Sequence, residues 1–132
     1  MSVTTQVLGD GGSLFTVHIY FDQDDVDKGE LNDYVILEPK EFGLPEHPTL
    51  KLVGAWHSLI WFDLVLKFGG LHPRPIWVFG RDSSDTMDFS RFGGIADRGE
   101  SPPSDDDGTV LVSTYGFAES GAKGTLVLQF RK

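Results

Sequence analysis

Several stretches of this chain carry apolar residues at every second position, the period of a strand with one buried face. From Leu14 to Phe21, one face takes Phe15, Val17, Ile19 and Phe21, and the other takes Leu14, Thr16, His18 and Tyr20. Trp61 to Phe68 is the cleanest case: Phe62, Leu64, Leu66 and Phe68 oppose Trp61, Asp63, Val65 and Lys67. In Gly124 to Arg131, Leu126, Leu128 and Phe130 oppose Thr125, Val127, Gln129 and Arg131. These alternations predict one core containing Phe62, Leu64, Leu66, Phe68, Leu126, Leu128 and Phe130.

Shorter segments fill the remainder. Tyr34 to Leu37 reads as a strand closed by Glu38-Pro39, and Leu50 to Trp56 as another, with Gly54 marking a bulge or a close approach. The gap His57 to Ile60 is short enough to make the next two strands a hairpin. Ile76 to Phe79 is an uninterrupted apolar run, as expected of a strand buried on both faces, and Trp56 and Trp77 are assigned to the core. Gly80 to Thr86 reads as a polar loop, Met87 to Phe92 as a brief strand, and Thr109 to Thr114 as a strand paired with the last one. Residues 1–12 are expected to form a flexible polar arm. The acidic stretch Asp22 to Asp33 and the segment Ala96 to Gly108 are expected to be surface loops. No window carries a helical period, so the prediction is a single all-β domain over 1–132. It would be an antiparallel two-layer β-sandwich, jelly-roll-like, of about seven to eight short strands.

Composition sharpens this picture. Sixteen glycines and seven prolines in 132 residues punctuate many short segments, and ten phenylalanines, three tryptophans and three tyrosines suit pleated, half-buried surfaces. The chain has no cysteine, which excludes disulfides, thiolate catalysis and cysteine-ligated metals. The formal net charge of −9 argues against a phosphate-binding surface, so no nucleic-acid partner is expected. No apolar run reaches the ~20 residues that span a bilayer, and the first residues lack the basic and apolar regions of a signal peptide, so no membrane partner is expected either.

Candidate chemistry is sparse. The histidines His18, His47, His57 and His72 show no metalloprotease spacing, and neither a nucleophile elbow nor a phosphate loop is present. Asp22, Asp24, Asp25 and Asp27, and separately Asp105 to Asp107, invite a calcium reading. Neither fits an EF-hand, because Val26 and Thr109 occupy the third acidic slot of the loop motif. Both clusters are therefore expected to be solvated loops. Twenty acidic residues make paired carboxylates easy to find and give no means of selecting a pair. The expectation is no catalytic residue, no cofactor and no metal, hence no enzyme. Trp61 and Val65 are more informative, because they are large apolar groups on the face opposite Phe62 and Leu64. A sandwich needs only one apolar face per strand, which makes these two residues candidate protein contacts.

The second half of the chain resembles a group of small structural proteins of tailed bacteriophage virions. The features are Asp10-Gly11-Gly12 before the first clear strand, LKLVGAWHSLIWFDLVLKF over Leu50 to Phe68, and PIWVFG over Pro75 to Gly80. MDFSRFGGI over Met87 to Ile95 and the close GTVLVSTYGFAESGAKGTLVLQFRK over Gly108 to Lys132 complete them. The resemblance implies a virion location and a capsid decoration (cement) protein that binds other copies of itself and the capsid or other virion proteins, as a homo-oligomer. A neck, tail or fibre-associated component and a carbohydrate-binding β-sandwich module are the alternatives. The resemblance implies no catalytic residues.

Overall fold

The computed structural model describes residues 2–11, 14–22, 30–38, 51–69, 73–90, 94–96, 109–117 and 121–131. Ten strands form among them: β1 (Ser2–Gly11), β2 (Leu14–Asp22), β3 (Tyr34–Leu37), β4 (Lys51–Ile60), β5 (Asp63–Phe68), β6 (Arg74–Phe79), β7 (Ser83–Asp88), β8 (Ile95–Ala96), β9 (Val110–Tyr115) and β10 (Lys123–Arg131). All pair antiparallel, in two sheets. Sheet A runs β1-β2-β10-β4-β7, with β8 also on β4, and sheet B runs β3-β9-β5-β6. Without β1 and β8, each sheet has four strands, and the chain changes sheet at β2–β3, β3–β4, β4–β5, β6–β7, β7–β9 and β9–β10. This winding is that of a jelly roll.

Period-2 alternation accounts for the core. Val17, Ile19 and Phe21 of β2, Leu64 and Leu66 of β5, and Leu126, Leu128 and Phe130 of β10 are buried together between the sheets. Phe62 joins them from the corner before β5, and Phe68 is buried as well. Phe21, Phe62 and Phe117 meet edge-on or tilted, with centroids 4.9–6.2 Å apart, and form an aromatic plug at one end of the sandwich. Strand β9 is buried along Val110–Thr114.

Several expectations are corrected. The polar segment read as an arm is β1, the edge strand of sheet A, where Val3 packs against the core. β4 runs through His57–Ile60, and the next two residues carry the chain into the other sheet, so β4 and β5 form no hairpin. β9 and β10 likewise lie in different sheets. Ile76–Phe79 is not doubly buried: it belongs to β6, the edge of sheet B, with Phe79 alone of the four fully enclosed. Pro75 suits that edge, since proline offers no amide to a further strand. The polar stretch after Gly80 is β7, the other edge of sheet A, and polar residues are favoured there because its rim and its described side chains other than the core-packed Met87 largely meet water. Trp56 and Trp77 are 38% and 37% exposed rather than core. Trp56 points outward from β4, and Trp77 lies at the rim against Phe89, centroids 5.0 Å apart. The acidic clusters at 24–27 and 105–107, with His47 and His72, fall outside the described residues.

Candidate interaction surface

The aromatic plug dictates the geometry above it. Phe62 must enter the core, and only Ile60 and Trp61 separate it from the buried Leu59. Reversing the chain within two residues forces a left-handed step, and Trp61 takes it at φ 71°. A bulky residue in that region is strained, by an amount on the order of 1–3 kcal/mol, and is retained only where its surroundings over-determine it.

Those surroundings can be named. The Trp61 amide donates to Asp82 Oδ1 at 3.1 Å, and the Asp82 amide donates to the Leu59 carbonyl at 2.8 Å, locking the β6–β7 corner onto the β4–β5 corner. Gly116 approaches the Trp61 carbonyl so closely that a β-carbon there would lie 2.7 Å from it. The Trp61 ring rests on Gly121, where a β-carbon would lie 2.9 Å from Cζ3. Both glycines have positive φ, so each position needs glycine for conformation as well as for room. The ring thus has one supported side and remains 51% exposed.

Charged groups brace the same end. Arg81 donates from Nε and Nη2 to Asp63 Oδ2 at 3.2 and 3.0 Å, and its amide donates to Asp63 Oδ1 at 2.7 Å. Arg81 Nη2 also donates to the Tyr115 carbonyl at 3.1 Å. The guanidinium holds the Asp63 carboxyl below the usual carboxylate range. Glu30 accepts hydrogen bonds from the Thr114 hydroxyl (2.6 Å) and from the amides of Gly116 (2.6 Å) and Phe117 (3.0 Å). That carboxylate ties the segment before β3 to the turn that supports Trp61.

Val65 lies further along β5 on the outer face of sheet B. It pairs with Val78 of β6 and Ser113 of β9. Val78 is 59% exposed, and Tyr115, opposite Asp63, is 56% exposed. Beside them Lys67 donates to Asp33 at 2.7 Å over the buried Ser113, and the Lys67 ammonium, helped by the Ser113 hydroxyl, holds the Asp33 carboxyl below the usual carboxylate range. Asp63 separates Trp61 from Val65 in sequence, so the two expected contact residues border one surface that turns from the end of the sandwich onto sheet B. Val65 itself is only partly exposed. Tyr115 and Val78 extend this surface but gave no signal in the sequence, because exposed and buried apolar residues look alike without the strand order.

Among the described residues, no group of three or more His, Asp or Glu side chains is placed to hold a metal ion. His57 faces inward against Phe79, and burial pushes its pKa below the ordinary histidine value, partly opposed by Asp85. No described helix is long and apolar enough to cross a membrane.

No family model and no curated protein matches the chain. Among solved structures it aligns with cobalt(II) HppE in complex with Tris buffer and with iron(II) HppE in complex with substrate. Each alignment has a TM-score of 0.35 and 9% identity, and covers 96% of this chain. The chain spans about half the length of those two solved chains, 52% and 53%.

Proposed function

We propose that this chain is a structural protein of a tailed-phage virion, a capsid decoration (cement) protein without catalytic activity of its own. It would dock on the shell, and on further copies of itself, through Trp61 and the adjoining outer face of sheet B. The virion setting rests on the sequence resemblance. One observation carries the docking: a tryptophan in a strained conformation is fixed by two neighbouring turns yet left half exposed. Cores do not require such an arrangement, whereas a contact residue gains from it, because a pre-set side chain loses little freedom on binding. Covering the ring and the Val65–Val78 pair would favour association at ~25 cal/mol per Å² of apolar surface, before the entropy of docking is charged.

The test is incorporation. Particles purified from an infected host should contain the chain in fixed ratio to the major capsid protein by quantitative mass spectrometry, and Trp61→Ala should abolish that incorporation while the purified variant still folds. A low copy number confined to necks or tails would replace decoration with the neck or tail reading. Absence from particles, or normal incorporation of the variant, would overturn the proposal.

A further inference from the structure

A second surface, on the opposite sheet, has a different chemistry. The outer face of sheet A is laid out in rows by its register. Thr16, Gln129, Gly54 and Asp88 stand side by side on β2, β10, β4 and β7, and the next row runs His18, Val127, Trp56, Thr86. Gly54 contributes no side chain to the middle of the first row, so the sheet is dented there. The dent is a depression of about 470 Å³ whose lining includes Trp56, Asp88, Gln129, Thr16 and Thr86. Small-ligand sites commonly enclose ~300–1,000 Å³ and combine an apolar surface with a few placed polar groups. The Asp88 carboxylate is fixed in position by the amide (2.9 Å) and hydroxyl of Ser90.

We infer that this dent is a binding site for a neutral saccharide, with Trp56 as the stacking surface and Asp88, Gln129, Thr16 and Thr86 as hydroxyl partners. The lining selects that class. A sugar ring presents an apolar C–H face to an aromatic ring and a girdle of hydroxyls to acceptors and donors at its rim. A carboxylate, an amide and threonine hydroxyls satisfy both roles of a hydroxyl. Among the described lining residues there is no Lys, Arg or His, and Arg131 and Lys51 stand only in the adjoining row, so a phosphate, sulfate or uronate in the dent would lie against the Asp88 carboxylate, on a chain already carrying −9. A lipid or an apolar peptide would leave the polar rim buried without partners. The site is independent of the Trp61 surface, since the two lie on different sheets.

The geometry also supplies a clean variant. A β-carbon added at Gly54 would meet its nearest atoms at 3.6–3.8 Å, which is ordinary contact, and no positive φ opposes it. Gly54→Val therefore puts bulk into the dent from a position whose β-carbon meets no clash, and leaves Trp56 itself unchanged. The experiment screens the purified chain on an array of neutral and acidic oligosaccharides and follows hits by titration calorimetry up to about millimolar ligand. The expected result is binding to neutral glycans, weakened at least tenfold by Gly54→Val and by Trp56→Ala with circular dichroism unchanged, and unaltered by Trp61→Ala. No binding to any neutral glycan, a preference for acidic ones, or binding that survives both variants would overturn the inference. Trp56→Ala should still enter particles, so failure here and failure of the docking proposal give different outcomes.

Discussion

Trp61 shows how one residue can be set by its neighbours rather than by its own preference. Glycine would accept φ 71° without strain, so Trp61→Gly should leave the unfolding free energy within about 1 kcal/mol of the parent, the relief offsetting the lost ring contact and the added backbone entropy. Urea titration checks this, and a loss above about 2 kcal/mol would make the ring a structural brace. His57 offers a second residue-scale test. Its pKa is lowered in the folded state, so the unfolded chain takes up the proton first as pH falls below about 6.5. Stability should therefore decline on acidification from pH 7 toward 5, and His57→Leu should flatten that decline. The Asp33 and Asp63 carboxyls are lowered as well, but they act in another window. Their contribution is present above the unfolded value of 3.8 and is lost as pH falls through their lower folded values, so the His57 effect can be read separately.

Among the elements, those with a buried face and a wet face were legible in the sequence. β2, β5 and β10 alternate as expected, and Leu64, fully buried, should cost ~2–5 kcal/mol when replaced by alanine, as measured in denaturant. A loss under about 1 kcal/mol would contradict its place between the sheets. The edge strands were misread for a physical reason. β7 has a polar sequence because an edge needs little apolar surface, so it resembled a loop. β6 has an apolar sequence although it lies at the rim, so it resembled a central strand. Which strands pair was not legible either, since alternation fixes the face of a residue but not the neighbour of its strand. For the same reason Trp61 and Val65 could be picked out as outward-facing, while Val78, the partner of Val65, and Tyr115, opposite Asp63, could not, since the order of sheet B brings them alongside.

For the whole molecule, the charge of −9 opposes bringing copies together. Association through the Trp61 surface should tighten as salt rises from about 0.1 to 1 M, where the screening length falls from ~10 to ~3 Å, and sedimentation or light scattering across that range would show it. Weakening with salt would mean that specific ion pairs dominate the contact. The strand order of sheet A has a consequence for how the molecule comes into being. β10, the last strand along the chain, lies between β2 and β4. A ribosome emits β2 and β4 well before the strand that joins them, so until β10 follows, the nascent chain holds sheet A as two separate parts, β1-β2 and β4 with β7 and β8. Consolidation of sheet A must wait until β10 has left the exit tunnel. A product stalled before β10 would therefore lack the middle of sheet A and be a target for proteolysis.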